Sequence, residues 1–353
     1  MTRTVCFTSF TWGYLARARI LSRTLRAAHP DWLQAALIVD APTTDTDTAL
    51  ATFDRVVFAP SLGVPDFASF IFRHTLVEAC TALKPRMLAH LLDGGADAVI
   101  YLDPDIAVFH PLASVEAALE AASIVLTPHQ HQPNHDAQAF HDAERTAQLY
   151  GVYNLGFAAV RHDATGRAFA AWWQERCETD CRDAPAEGLF TDQRYGDLVP
   201  ALFPRVAILR DPGCNVASWN LSRRVPVVTP EGCITVDSHR LAFYHFSKIG
   251  DVGDIMTRRY AQNEVPLEIT AWWQRQVAAA TIPGLADRPW AWGCFADGAP
   301  IPLALRRAWR QDASLRIRFD NPFASGPDSL QDWARRERPH LMVHPDLPTL
   351  GEP

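Results

Sequence analysis

Short apolar runs alternate with helix-period stretches over the first two-thirds of the chain, and this alternation predicts an α/β layer structure. Val5 to Phe10 is apolar enough for a first buried strand and leads through the loop Thr11 to Tyr14 into a helix. On that helix Ala18, Leu21 and Leu25 share one face while Arg17, Arg19, Arg23 and Arg26 face water. Further strands are expected at Ala35 to Val39, ending at Asp40, at Asp54 to Phe58 and at Ala98 to Leu102. The stretch His74 to Leu92 reads as a helix broken or kinked near Pro85. A helix near Ser114 to Ala121, a strand at Ser123 to Leu126 and a His-rich loop at Pro128 to His135 follow. The next helix should end at Tyr150, with Gly151 as its stop. Val152 to Val160 alternates apolar and small residues, a strand in which Gly156 permits close backbone approach. A helix carrying Trp172 and Trp173 leads to Asp192-Gln193. Beyond about Gly250 the pattern weakens into a tail rich in Pro, Trp and Arg. The organisation expected is a layered domain over 1–250 with a helical and irregular extension over 251–353 packed on it.

Composition narrows the class. Of 353 residues 48% are hydrophobic and 21% charged, enough for a sizeable core. A net charge of −7 argues against a general nucleic-acid binder, which needs a basic surface. No apolar run reaches the ~20 residues of a membrane-spanning helix. Thr2, Arg3, Thr4 and the Thr8 to Thr11 stretch interrupt any secretory signal, so a cytoplasmic location is expected. Seven scattered cysteines suit reduced thiols, and the Cys177/Cys181 pair has no second pair at zinc-site spacing. The 33 basic residues include only two lysines, Lys84 and Lys248. In a chain that favours arginine, each surviving lysine is either a leftover of codon bias or a mark of a place where a compact ammonium serves better than a guanidinium fork.

The sharpest chemical signal is Tyr101-Leu102-Asp103-Pro104-Asp105. Two carboxylates one residue apart, at the C-terminal end of a buried strand, lie where open α/β sheets bind ligands. Pro104 stiffens the turn and leaves the acids free to take a hard, partly hydrated divalent ion, which would bridge a diphosphate. His245, on a Phe/Tyr-rich strand, can add a nitrogen to those oxygens, a mixed set that suits Mn²⁺ better than Ca²⁺. Lys84 lies just before the metal strand and Lys248 three residues after His245, so either ammonium can approach a diphosphate. Asp192-Gln193 reads either as an acid-amide pair at a reacting centre or as the cap of the helix that follows.

These segments resemble, in order, the motifs of GT-A-fold glycosyltransferases, and are most similar to glycosyltransferase family 8. Tyr101 to Asp105 looks like the family's Asp-x-Asp motif, and Tyr153-Asn154-Leu155-Gly156-Phe157 is similar to its Asn-containing strand beside the donor sugar. Thr191-Asp192-Gln193 resembles its Asp-Gln element near the reacting centre, and Tyr244-His245-Phe246-Ser247-Lys248 its late His motif. The resemblance spans Thr4 to Lys248 and implies a Rossmann-like mixed central sheet flanked by helices. It also implies a metal, Mn²⁺ or Mg²⁺, held by Asp103, Asp105 and His245, and a UDP-sugar along Thr8, Tyr14, Asp40, Lys84, Asp103, Asn154 and Gly156. The activity implied is hexosyl transfer to a saccharide acceptor, lipopolysaccharide or another surface glycan, with retention at the anomeric carbon. Asp192, Gln193 and Lys248 are then the catalytic candidates, and contact with the inner membrane is at most peripheral. Thr8-Ser9-Phe10-Thr11 and Tyr14 stand where the family has Ala-Asp-x-x-Tyr, so base recognition differs. The late motif is also altered, with Lys248 arriving early.

Two rival classes remain from sequence. A nucleotidyltransferase shares the layering and acidic metal site, but usually opens with a Gly-rich phosphate loop, and Thr8 to Tyr14 holds only Gly13. A decayed GT-A protein that only binds glycans would not need an intact Asp103, Asp105 and His245. The loop histidines His129, His131 and His135, with His141 beyond, read as a border of the donor or acceptor pocket. Asn215, Trp219 and Asn220 form a polar-aromatic group that can line it. In the tail, Leu303, Leu305 and Trp309 share helical spacing with Arg306, Arg307 and Arg310. The group is expected to be a solvated face or, failing that, a surface anchor.

Overall fold

The computed structural model describes residues 3–44 and 46–343. Its centre is a seven-stranded mixed sheet, and the α/β layering expected from the sequence is present. Strands β1 (Thr4–Phe10), β2 (Leu33–Ile38), β3 (Arg55–Phe58) and β4 (Ala98–Leu102) run parallel to their neighbours in the order β4-β1-β2-β3. A short strand β5 (Ile106–Val108) leaves this sheet, and β6 (Ile124–Pro128) and β7 (Tyr153–Arg161) return to it. There β7 is antiparallel to both β4 and β6, and Val206–Ile208 closes the far edge beside β6.

Strict alternation along the strands builds both cores. Val5, Phe7, Val99, Tyr101, Ile124, Leu126, Ala158 and Val160 pack on one face. There they meet Ala79, Leu83, Met87, Leu88, Phe169 and Trp173 of the helices Leu76–Ala82, Lys84–Asp93 and Ala164–Thr179 and the joint between the first two. Cys6, Ala98, Ile100, Leu102, Val125, Phe157 and Ala159 face the other way, onto Leu21, Leu25, Val115 and Leu119 of the helices Leu15–Ala28 and Ala113–Ala121. The helix expected to break near Pro85 does so at Leu83, and Pro85 sits in the first turn of the second piece, where a missing N–H costs nothing. Gly151 stops the helical stretch before β7 at φ 126°, a conformation closed to other residues. Cys181 falls beyond the end of the helix that carries Cys177, so the pair does not share a helix face.

The tail corrects the expectation of a water-facing or surface-anchoring stripe. Leu305 and Trp309 are buried with Phe72, Phe295, Ile301, Phe319, Leu330 and Trp333 in a separate core. Arg306 is 4% exposed and donates to the carbonyls of Phe72 and His74, both at 2.8 Å, satisfying the end of the helix Phe67–Phe72. Arg307 and Arg310 turn to Glu78 and Asp180. The long arginine stems cover apolar surface while their heads find carbonyls and carboxylates inside the protein. No described helix is long and apolar enough to cross a membrane.

Candidate active site

The acidic turn is set by two strand pairings. After β4, Asp103 N donates to Gly156 O at 2.8 Å, continuing the β4–β7 ladder by one residue. After Asp105, β5 pairs antiparallel with Phe243–His245, so His245 stands opposite Ile106, and Phe246 N donates to Asp105 O at 2.8 Å. His245 is thus delivered to the two aspartates by main-chain register. One ligand atom each from Asp103, Asp105 and His245 lie within 4.8 Å of one another, the one such metal-competent group among the described residues.

The ring orientation is specific. His245 Nε2 is 3.1 Å from Asp105 Oδ1 and 3.7 Å from Asp103 Oδ2, while Nδ1 is 3.2 Å from Asn154 Oδ1. With Nδ1–H donating to that amide oxygen, the Nε2 lone pair faces two carboxylates, an arrangement that calls for a cation between them. Burial alone would lower the pKa of His245, but Asp105 and then Asp103 overcome it and raise it. Asp105, pushed up by burial, is brought below its ordinary value by His245. Gly156 keeps the centre open. A Cβ there would lie 2.5 Å from His245 Cε1, 2.6 Å from Asp103 Oδ2 and 2.9 Å from Asn154 Oδ1. The donor set, its lone-pair orientation and this side-chain-free wall fit a divalent ion such as Mn²⁺ or Mg²⁺.

A second carboxylate system shares the cleft. Lys84, 5% exposed at its side chain, lies 3.2 Å from Asp103 Oδ1 and 3.3 Å from Asp192 Oδ2. It also sits 4.5 Å from the Tyr101 ring centroid and donates to Leu155 O at 3.4 Å. Burial opposes its charge, but Asp103 and Asp192 more than restore it, so its pKa is raised. The Tyr101 hydroxyl donates to Asp103 Oδ1 at 2.5 Å, which leaves Oδ2 for the His245 side. Asp192 is 2% exposed, and burial raises its pKa although Lys84 pulls the other way. It occupies the cap position of the helix Gln193–Gly196 but makes no capping bond; its oxygens meet Lys84 and Thr191 Oγ1 instead. Thr191 holds a left-handed φ of 47°, a strained conformation that turns this segment inward. Gln193 is anchored to Tyr150 O at 2.9 Å and Leu155 N at 3.4 Å.

Other predicted residues lie around this core. Thr8 Oγ1 and Asp40 Oδ2 are buried without a hydrogen-bond partner, while Asp40 Oδ1 accepts from Ala41 N and from Ala291 N of the extension. Burial raises Asp40, and those amides partly offset it. Tyr14 is 41% exposed beneath the Arg17 guanidinium, 4.4 Å from its ring centroid; burial and then Asp105 raise its pKa. Lys84, Asp40 and Asp103 all act on the Cys80 thiol, which burial drives up to about 12. Lys248 is different: it is exposed, at φ 53°, and makes no ion pair among the described residues. His129 borders the centre through Asn154 Nδ2 at 3.3 Å, and Trp219 packs edge-on against both His129 and His245. His135 and His141 are exposed. Sequence reasoning missed Tyr101, although it stands two residues before Asp103 on the same side of the strand. Nothing in the sequence signals that Lys84 bridges Asp103 and Asp192.

No protein-family model matches the chain. Two curated proteins of Bacillus subtilis (strain 168) are similar to it: Uncharacterized protein YfnF is 31% identical over 179 residues, 48% of this chain and 56% of that protein. Uncharacterized protein YfnD is 31% identical over 191 residues, 52% of this chain and 57% of that protein. The chain therefore spans about half the length of the curated relatives it matches. Among solved structures, the galactosyltransferase LgtC in complex with donor and acceptor sugar analogs aligns at TM-score 0.45 and 14% identity, over 80% of this chain and 98% of LgtC. Mouse xyloside xylosyltransferase 1 aligns at TM-score 0.41 and 12% identity, over 70% of this chain and 98% of that one. At such scores nothing about activity transfers to this chain.

Proposed function

We propose that the chain is a metal-dependent glycosyltransferase that moves a hexose from a UDP-sugar to a saccharide acceptor with retention at the anomeric carbon. The observation that supports this reading most is the pairing of two unlike carboxylate sets in one cleft. Asp103 and Asp105 with His245 form a cation site, and Asp192 is a separate buried acid, joined to it only through Lys84. A protein that merely holds a metal-bound nucleotide has use for the first set alone. Burying a further carboxylate is costly, and an acid held ionised beside a reacting sugar is what a developing oxocarbenium ion requires.

A divalent ion bound by Asp103, Asp105 and His245 would neutralise charge on the departing diphosphate. The chain's own residues prepare the rest. Tyr101 and Lys84 fix Asp103 from one side, and Asn154 fixes the His245 ring from the other. Lys84 pulls the pKa of Asp192 down against the upward effect of its burial, and Asp192 can serve as nucleophile or as stabiliser of positive charge at the sugar carbon. Gln193, held at Tyr150 and Leu155, is positioned to bond a sugar or acceptor hydroxyl. The orphaned Thr8 Oγ1 and Asp40 Oδ2 call for polar partners, which the nucleoside end of the donor would supply. The exposed Lys248 is free to meet the diphosphate from outside.

Thermal-shift titration tests this. UDP-hexoses should raise the Tm of the chain only with Mn²⁺ present, and Asp105→Ala should abolish that shift while the far-ultraviolet circular dichroism stays native. Equal nucleotide affinity in the variant sinks the reading.

A further inference from the structure

A cavity of about 100 Å³ is lined in part by Gln130, His131, Arg210, Arg223, Arg224 and Asp237. Two contacts link its wall to the cation site. Gln130 Nε2 donates to Trp219 O at 2.7 Å, and the Trp219 ring meets that of His245 at 5.1 Å.

Its charge is unbalanced. Elsewhere Arg86, Arg182, Arg307 and Arg310 each sit on a carboxylate, while the buried Arg306 is held by three main-chain carbonyls. Here Arg210, Arg223 and Arg224 have no carboxylate within 4.0 Å among the described residues. Arg224 is 2% exposed and, like Arg306, finds main-chain carbonyls rather than a carboxylate. One of its nitrogens donates to Cys214 O at 2.6 Å and Pro212 O at 3.4 Å, another meets His131 Nε2, and Nε has no partner. Arg223 Nε is likewise buried and unpaired, and only Gln132 Oε1, at 2.9 Å, receives its guanidinium. Asp237 lies on the rim, exposed, at φ 49°. Burial, and then Arg224 and Arg210, lower the pKa of His131 to about 3, so the imidazole is neutral and accepts from Arg224.

Three arginines, Arg210, Arg223 and Arg224, line a space with room for a phosphate or carboxylate head. We propose that this cavity binds an oxyanion, the phosphate or carboxylate of an anionic saccharide acceptor, beside the transfer centre. The assignment of the anion to the acceptor rests on the glycosyltransferase reading; the anion site itself does not.

The test uses the full chain at low ionic strength with a chelator, so that the cation site plays no part. Inorganic phosphate and glucuronate are titrated, with glucose as the uncharged control, by calorimetry. The wild type should bind at least one of the anions and ignore glucose. The double variant Arg210→Gln/Arg223→Gln, which spares the buried Arg224, should bind that anion at least tenfold more weakly. Tighter binding of phosphate assigns a phosphorylated acceptor, and tighter binding of glucuronate an acidic sugar. No anion binding by the wild type, or equal affinity in the double variant, overturns the proposal. UDP with Mn²⁺ is measured in parallel on both proteins. Intact donor binding with no arginine-dependent anion site rejects this inference and leaves the transferase reading standing. An arginine-dependent anion site without Mn²⁺-dependent UDP binding keeps the anion site and rejects the transferase reading.

Discussion

Two clusters of buried charge stand on consecutive helices, Leu76–Ala82 and Lys84–Asp93, and they are built on opposite principles. Around Glu78 every demand is met. Its carboxylate, fully buried, takes both terminal nitrogens of Arg307, the amide of Thr75 at 2.9 Å and the amide of Asp183 at 2.8 Å. Burial would raise its pKa, but Arg307 and those amides carry it below the ordinary value. Around Lys84 the balance is left open. Three carboxylates, Asp103, Asp105 and Asp192, share one ammonium and one imidazole, and burial keeps Asp192 above its ordinary value. The first arrangement ties the helix Leu303–Gln311 to the helix Leu76–Ala82. On the glycosyltransferase reading, the second is an excess of carboxylates over bases that a cation and a developing sugar cation would relieve. Buried charge alone therefore does not mark a functional site; unbalanced buried charge does.

The comparison breaks most sharply under conservative neutralisation of one acid in each cluster. Asp192→Asn should slow glycosyl transfer by about 10²–10³-fold. Stability should change little, because Lys84 keeps Asp103 and the amide fits the same space. Single-turnover rates beside urea midpoints would show it, and a normal rate removes Asp192 from the chemistry. Glu78→Gln should do the reverse. Arg307, 20% exposed at its side chain, loses its counter-charge, and one of the Thr75 and Asp183 amides loses its acceptor. A destabilisation of about 3 kcal/mol follows, with turnover per folded molecule unchanged. A Glu78 variant that is stable but slow would mean that the two clusters are not separate.

The open cluster was largely legible in the sequence and the closed one was not. An apolar run ending in Asp103-Pro104-Asp105 declares both a strand and what projects from its end, and Gly156 declares close approach. His245 follows from its place on a strand that could reach them. What local pattern cannot give is pairing across long separations. Lys84 reaches Asp192 beside Leu155, whose carbonyl accepts from Lys84 and whose amide donates to Gln193, whereas Lys248, with the more suggestive neighbourhood in sequence, faces solvent. The tail arginines mislead for the same reason: at helical spacing they look solvated until Glu78 and Asp180 are brought to them.

Gly156 offers a smaller and more local test on the open side. Gly156→Ala pushes a methyl against His245, Asp103 and Asn154 at once, and Gly156 needs no left-handed backbone that would confuse the result. Mn²⁺ affinity should fall about 10- to 100-fold, as when outer supports of a metal ligand are disturbed. The loss in folding stability should stay well below that of Glu78→Gln. Calorimetric titration of Mn²⁺ into both proteins would decide it, and unchanged affinity would mean that this wall does not shape the cation site.

The smallest effect separates the clusters by sign. The native pKa of Glu78 lies below its ordinary value of 4.5, so on acidification the unfolded chain takes up this proton first. Its stabilisation is complete above about pH 4.5 and is lost as pH falls through the native value. The native pKa of Asp192 lies above its ordinary value of 3.8, so here the folded chain takes up the proton first. That group costs stability above its native pKa and returns it as pH falls toward 3.8. Urea midpoints of metal-free protein measured from neutrality to about pH 4 should therefore diverge between the variants. Glu78→Gln should flatten the acid decline. Asp192→Asn should steepen it, because it removes the one carboxylate of the pair whose protonation favours the fold. Parallel curves for wild type and both variants would show that the two acids titrate alike, and the contrast between a closed and an open charge cluster would fall with them.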